Sequence, residues 1–480
     1  MTPLDTDVVV VGAGPAGAAA AAHLARAGVS VLLLDRQTFP RNKTCGDFVG
    51  PAALVELAAL GVSGPSCAPS NRISQAALFS DGQEVITLPL PRVPGLPPFG
   101  RVVRRVVLDD AARRAALRVG ARMIQGFRVT GVSAGLHGVN VRGVHAGRPA
   151  RLRAKAVVGA DGSTSMVARS LGRGATAGQP SLIAVRAYFE HVAGPVHRAD
   201  IYLGPDSFPG YSWVFPVAPG QANVGVGMMV DAVPPSPWHL RDLLLHLIDT
   251  DPALRTRLGR ARMVGRIVGW PIPTYDHRRP LVGRRRLLVG DAAGLVNPLN
   301  GEGIQYALQS GRWASETLTP AVAIGDCSAA QFGPYAQRVE QELRADMSVA
   351  RLLTQLIRNR LLTPFWLEGV RVLGDLAAHD REYANIAAGV VAGMLPARWA
   401  GLLIPPTLRG LPRSLLRRAL RRAVGVRGWL LGDLVGAFDT TLTIRGMFDL
   451  HRRVVDGWRA DVDAAADEVA RHLAAARSAS

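Results

Sequence analysis

The feature that most constrains this chain is the run Asp7-Val8-Val9-Val10-Val11, followed at once by Gly12-Ala13-Gly14-Pro15-Ala16-Gly17. An unbroken apolar run of this kind predicts a parallel strand buried on both faces. The alanine-rich stretch from Pro15 to Arg26 predicts a helix, closed by Gly28 ahead of a second strand, Val31 to Leu34. Within this strand–helix–strand unit Gly12 permits the tight turn, Gly14 lets backbone amides approach a pyrophosphate, and Gly17 lets helix and strand pack closely. Pro15 and Ala16 open the helix whose N-terminus faces the anion. Asp35, with Arg36 beside it, ends the second strand where an acid accepts hydrogen bonds from a ribose. The unit calls for a dinucleotide but does not by itself separate FAD from NAD.

Two later glycine segments narrow the choice. Gly159-Ala160-Asp161-Gly162 closes a strand at Ala156 to Val158, although a strand-end turn alone also accounts for its Asp-Gly pair. Gly290-Asp291-Ala292-Ala293-Gly294 follows a buried strand at Leu287 to Val289 and runs through Pro298 to Gly301, Gly303 and Ile304, where a long helix through Gln305 to Thr317 begins. Three such segments in this order resemble the aromatic-hydroxylase-like class of flavoproteins. The resemblance implies that Asp161 and Gly162 close the site at the FAD pyrophosphate, that Gly290 belongs to the cofactor site and that Asp291 binds the ribityl chain. It also implies that the loop from Pro298 to Ile304 lies by the isoalloxazine ring, where the helix N-terminus stabilises negative charge on the reduced flavin. Arg105, in RVVLDD, matches an arginine that contacts FAD in this class; a solvated surface arginine is its other reading.

Two further stretches are more specific. Pro40-Arg41-Asn42-Lys43-Thr44-Cys45-Gly46-Asp47 and Gly210-Tyr211-Ser212-Trp213-Val214-Phe215-Pro216 resemble the PRxKxCG and YxWxFP signatures of geranylgeranyl reductases. The resemblance covers roughly the first two thirds of the chain. It implies a flavin that adds hydrogen across double bonds of a polyprenyl chain carried by a lipid, quinone or pigment. It also places Arg41, Lys43 and Gly46 near the cofactor and Cys45 near its ring, where a thiol acts as general acid. A small buried hydrophobe is the competing reading of Cys45. Tyr211, Trp213 and Phe215 alternate along a presumed strand, so their rings share one face. That face is either sheet core or the wall of a prenyl pocket, which gains roughly 0.8 kcal/mol per buried CH2 without any directional bond.

Two other functions remain open on the same scaffold. One is an oxygen-using reaction, hydroxylation, epoxidation or halogenation; Trp213-Val214-Phe215 only weakly resembles the halogenase WxWxIP signature, and no catalytic lysine matches. The other is prenyl binding without turnover, against which the intact flavin motifs count. No second GxGxxG unit is visible, so the expected electron donor is NAD(P)H bound transiently over the flavin or a reduced electron-carrier protein.

With 480 residues the chain exceeds one ordinary core. The expected architecture is α/β: a glutathione-reductase-like, Rossmann-type FAD-binding domain, discontinuous over 1–75, 101–175 and 280–330, with an inserted, mainly antiparallel β-sheet substrate domain over 76–100 and 176–279. A helix is predicted from Leu108 to Val119, and 331–480 is expected to be a helical C-terminal domain broken at Pro364, Pro396, Pro405 and Pro412.

The formal charge of +19 is almost all arginine, scattered and not interleaved with aromatics, which reads as codon bias and argues against nucleic acid. Cys45, Cys67 and Cys327 are too few and too separated for a disulfide framework or a metal site, so no metal is expected. Reduced thiols fit a cytoplasmic setting, and no signal peptide and no spanning helix are expected. Pro412 to Val424 places arginines on one face and leucines on the other. With the apolar stretch Ile386 to Ile404 it points to peripheral contact with the inner face of the membrane, the competing reading being a solvated helix packed by its leucines. The sequence carries no signal for oligomeric state.

Overall fold

The buried valines of the first strand, Thr6–Val11, are paired on both sides by parallel neighbours, Val31–Asp35 and Arg148–Gly159. In the computed structural model, which describes residues 5–63, 70–172, 182–230, 239–358, 360–412 and 415, these strands form the centre of an eight-stranded sheet. Its core order continues through Arg286–Leu288 beyond Arg148–Gly159, and through Arg122–Gln125 beyond Val31–Asp35. The antiparallel strands Phe127–Ala134 and Val139–His145 extend it along the outer half of Arg148–Gly159.

The first helix, Pro15–Arg26, buries every residue from Pro15 to Ala22. Alanine there allows near-contact with the long helix Ile304–Ile324: a Cβ added at Gly311 would sit 2.5 Å from the Ala16 carbonyl oxygen. The helix Arg105–Arg118 packs on the same side of the sheet as Pro15–Arg26. It starts three residues before the predicted Leu108, so Arg105 occupies its first turn, buried, and does not lie in a preceding loop.

A second sheet of seven strands runs in the order Arg262–Ile272, Leu182–Glu190, Gln221–Met229, Tyr211–Ala218, Arg198–Leu203, Gln75–Ser80, Gln83–Pro89. All its pairs are antiparallel except Arg198–Leu203 with Gln75–Ser80. Two helices that the sequence reading did not separate, Leu240–Thr250 and Pro252–Leu258, cover one face through Leu243, Leu244, Leu247, Leu254 and Leu258. They pack on Val185, Ala187, Val214, Val224 and Val226. By strand alternation the opposite face presents Arg186, Tyr188, Tyr211, Trp213, Phe215 and Asn223. A small antiparallel sheet of Phe48–Val49, Gly100–Val103 and Ser70–Ile73 stands beside it, and the Trp270 indole ties the second sheet to the glycine segment by donating to Ser163 Oγ at 2.8 Å.

Beyond residue 330 the described chain is helical: Gly333–Ile357, Thr363–His379, Arg381–Val391 and Ala400–Gly410. Pro364 sits in the first turn of its helix, where its missing N–H costs nothing. Pro405, expected to break a helix, lies with Pro406 inside Ala400–Gly410. Cys67 and nearly all of the basic segment Pro412 to Val424 lie outside the described residues. No helix among the described residues is long and apolar enough to cross a membrane.

Candidate active site

The three glycine segments meet. Gly12 has φ +101°, and a Cβ there would stand 2.2 Å from the Ala160 carbonyl oxygen of the second segment, so only glycine allows the approach. Gly290, at the third segment, lies between Ala16 and Ala307. The helix Pro15–Arg26 begins at Gly14 with no side-chain cap and no acidic residue in its first turn, so its N–H groups face outward as an anion cradle. The second long helix, Ile304–Ile324, begins at Gly303 with its own first turn next to Asp291. This open cradle, the close-packed glycines and the two helix ends fit an FAD.

The acids of the motifs hold the loops in shape. Asp35 Oδ2 accepts from the Ala13 amide at 3.0 Å and Oδ1 from the Gln37 amide at 2.9 Å, while Arg36 beside it is exposed. Asp161 accepts from Ser165 Oγ and the Met166 amide, 2.5 and 2.6 Å, ahead of Gly162. Burial pushes its carboxyl above the usual range, and those hydrogen bonds oppose the rise. Pro298 is buried, with its carbonyl accepting from Thr354 Oγ1 at 3.1 Å, and Gly301 turns with φ +73° beneath the Tyr211 hydroxyl.

The loop from Arg41 to Gly46 crosses this site with nearly every residue anchored to a different element. Arg41 reaches Asp109 at 3.0 Å and Asp35 at 3.5 Å, with its Nη2 close to Gly14. Asn42 Oδ1 accepts from Arg186 Nη2 at 3.2 Å. Lys43 Nζ pairs with Asp291 Oδ2 at 2.9 Å. Burial alone would raise the Asp291 carboxyl, but the charge and hydrogen bond of Lys43, with Arg105 behind, hold it below the ordinary range.

Arg105 is 3 % exposed and grips Asp109 through Nε and Nη2, at 2.7 and 2.9 Å. Burial works against its charge, yet Asp109 keeps the guanidinium firmly protonated; Cys45 is its other neighbour. Burial pushes the Cys45 thiol up, and Arg105 pulls the other way. The arrangement is a thiol whose ionisation burial opposes, next to a fixed cation that favours its charged form.

The aromatic wall lies against this loop. Trp213 stacks on Phe215 and tilts against Tyr211, with ring centroids 6.0 Å apart in both pairs, and Phe48 continues the row at 5.7 Å from Phe215. Gly46 sits over Phe215 and the Trp213 indole nitrogen. Tyr211 donates to the Asn300 carbonyl at 2.7 Å, which joins the wall to the third glycine segment; burial, then Glu302 and Cys45, push its hydroxyl up to about 12.

Strand register explains why the wall is smooth. Tyr211 faces Gly227 across the hairpin, Trp213 faces Gly225 and Phe215 faces Asn223. A Cβ at Gly225 would lie 2.3 Å from Trp213 Cζ2, so the indole occupies the space a side chain would take.

Sequence reasoning missed Asn223, Tyr188 and Asp47. Asn223 is 0 % exposed; its Nδ2 donates to the Cys45 carbonyl at 2.8 Å and to Asp47 Oδ2 at 2.9 Å, and its Oδ1 accepts from Trp213 Nε1 at 3.0 Å. One amide therefore joins the thiol loop, a buried acid and the wall. The signal for it is the alternation Asn-x-Gly-x-Gly opposite Tyr-x-Trp-x-Phe, which acquires meaning only once the register is known.

The FAD binding domain family matches residues 5–227. The chain is 38 % identical over 320 residues to menaquinone reductase of Mycobacterium tuberculosis, which spans 65 % of this chain and 76 % of that protein. Against menaquinone reductase of Mycolicibacterium smegmatis the identity is 33 % over 395 residues, covering 81 % and 92 %. Digeranylgeranylglycerophospholipid reductase 1 of Methanothermobacter thermautotrophicus is 30 % identical over 348 residues, covering 72 % and 84 %. Among solved structures, a geranylgeranyl bacteriochlorophyll reductase-like protein of Thermoplasma acidophilum superposes with TM-score 0.63 at 22 % identity, over 84 % of this chain and 95 % of its own. A flavin-dependent brominase superposes as well, with TM-score 0.64 at 21 % identity, over 83 % and 98 %. At such identities both superpositions show a shared fold alone.

Proposed function

The chain belongs to the geranylgeranyl reductase family of FAD-dependent oxidoreductases, and from that premise we propose that it saturates C=C bonds of a polyprenyl chain with Cys45 as the proton donor. The observation that supports this most directly is that Cys45 has Arg105 as its neighbour while the adjoining Gly46 lies against the Trp213 and Phe215 rings of the wall. FAD supplies the hydride when bound and reduced. Gly12, Gly14, Pro15, Ala16 and Gly17 hold the pyrophosphate, with Arg41 beside them and Asp35 at the adenosine ribose next to Arg36. Asp161, Gly162 and Gly290 close the site, Asp291 and Lys43 hold the ribityl chain as a pair, and Pro298, Gly301, Gly303 and Ile304 border the ring.

The remaining steps belong to the protein. The wall binds the apolar chain by excluded water, worth roughly 0.8 kcal/mol for each CH2 it covers. Cys45 gives its proton to the carbon that has not received hydride. Arg105 then faces the thiolate, which lowers the cost of leaving a negative charge in a half-buried site. The two hydrogens add without oxygen.

The deciding experiment uses FAD-loaded protein reduced without oxygen and mixed with a menaquinone bearing a geranylgeranyl tail, or with geranylgeranyl diphosphate. Hydrogen pairs gained in the prenyl chain, read by mass spectrometry, are the expected result. Conversion that begins only when oxygen is admitted overturns the reading in favour of an oxygenase, and binding without conversion in either atmosphere overturns it in favour of a carrier.

The electron donor belongs to the same proposal: NAD(P)H binding over the ring, or a reduced carrier protein. Flavin bleaching on anaerobic mixing with NADH or NADPH identifies the first; its absence assigns the second. A peripheral membrane position is part of the same proposal: the apolar prenyl substrate supplies the reason for it, and the basic surface draws anionic headgroups during encounter.

A further inference from the structure

Asp47 is a buried acid that the reaction above leaves without a task. It is 0 % exposed and adopts φ 65°, a left-handed conformation that aspartate takes more readily than most side-chain-bearing residues. Its Oδ2 accepts two hydrogen bonds, from Tyr188 Oη at 2.6 Å and from Asn223 Nδ2 at 2.9 Å. Among the described residues its Oδ1 has no hydrogen-bond partner. Its backbone amide donates to Cys45 Sγ at 3.3 Å, and the charge of its carboxylate is felt at the thiol, which it raises.

With Oδ2 committed to accepting twice, a proton on this carboxyl resides on Oδ1, the oxygen that nothing else engages. Resting on the reading that Cys45 is the proton donor, we propose that Asp47 reloads the Cys45 thiol between turnovers, with Tyr188 and Asn223 as positioning residues that fix which oxygen carries the proton. The balance is simple. The S–H bond of Cys45 breaks as the new C–H bond forms, leaving a thiolate; the O–H bond at Asp47 Oδ1 then breaks and S–H re-forms. The carboxylate left behind keeps its two donors until solvent returns a proton to it. No electrons move in this step.

The surroundings favour both forms. Burial pushes the Asp47 carboxyl above its usual range, opposed by the Tyr188 and Asn223 hydrogen bonds and by the charges of Arg186 and Arg105. The guanidinium groups of Arg186 and Arg104 lie over the Tyr188 ring, at 4.4 and 4.8 Å from its centroid. Tyr188 is itself only partly buried.

The test compares first and later turnovers of FAD-loaded enzyme, pre-reduced without oxygen and supplied with excess dithionite and geranylgeranyl-tailed menaquinone. In Asp47→Asn the first equivalent of saturated chain forms at close to the parental rate, because Cys45 already holds its proton. Later turnovers slow about ten- to a hundredfold, within the range a lost proton-transfer group costs, and acquire a larger solvent deuterium isotope effect. Tyr188→Phe, which keeps the carboxyl, shows the same split in smaller measure and serves if Asp47→Asn does not fold. A second readout needs no turnover: iodoacetamide labelling of Cys45 in the substrate-free holoenzyme sets in at lower pH in Asp47→Asn, because in the alkaline range where the thiol ionises the parental Asp47 has given up its proton and opposes the thiolate. Equal slowing of first and later turnovers, or of neither, overturns the proposal. Unimpaired first turnover in Cys45→Ala overturns instead the reading on which it rests.

Discussion

Cys45 and Arg105 form a unit in which each residue sets the state of the other. Cys45→Ala retains the yellow cofactor, since the thiol is not part of the pyrophosphate cradle, and loses prenyl reduction by about 10²- to 10⁴-fold; absorbance of the purified protein and product mass check the two halves separately. The pH dependence has a definite sign. A proton donor works in its protonated form, and burial raises the thiol pKa above the ordinary value. The first-turnover rate of chain saturation therefore stays level through the ordinary thiol range and falls only on its alkaline side, as a pH series of pre-reduced enzyme would show. Arg105→Met removes the bidentate partner of Asp109, which is 0 % exposed, and leaves that acid with Arg41 alone. Breaking a buried pair on one side costs about 3 kcal/mol or more, measured as a lower denaturation midpoint, and Arg105→Lys does not restore it because an ammonium lacks the planar fork.

The secondary elements show how far a sequence carries a structure. The first strand and helix are legible because apolar run, glycine spacing and alanine content all agree, and the helix ends at Arg26 as read. The start of the helix at Arg105 is not, because Arg104 stands at its N-cap with no side-chain hydrogen bond and offers no capping signal. The helix Pro252–Leu258 does carry signals, an Asp251 cap accepting from two amides and Pro252 in the first turn, whereas Leu240–Thr250 starts at His239 with no side-chain cap, and both lie in a stretch dominated by aromatic and β-branched residues. The wall was legible as Tyr211, Trp213 and Phe215, whereas its backing was not: Asn223, Gly225 and Gly227 are defined by cross-strand pairing, and pairing is a property of two strands. Gly225→Val puts a branched side chain where the indole lies. Overpacking of this kind costs roughly 1–3 kcal/mol and displaces Trp213, so the expected outcome is a raised KM for the prenyl substrate with FAD content unchanged, read by titration against wild type.

At the scale of the whole molecule, two sheets face each other across the loop that carries Cys45. That loop is held by Asp109, Asp291, Arg186 and Asn223, residues spread over both lobes. Association with anionic vesicles is expected, falling as salt rises through the range in which the Debye length shrinks to about 10 Å and below; co-sedimentation with vesicles of anionic and of neutral lipid checks it, and equal binding to both would remove charge as the cause. The close contact between Gly12 and the Ala160 carbonyl, and the parallel pairing of Arg286–Leu288 with Val157, Val158 and Gly159, also fix an order of events in the cell. A nascent chain still short of its third glycine segment has only part of the cradle, however well its opening strands have formed. Colour is thus acquired late in synthesis, after the long helix that starts at Ile304 has left the ribosome, and a product released before that point stays pale and exposes a valine-lined edge to the quality-control machinery.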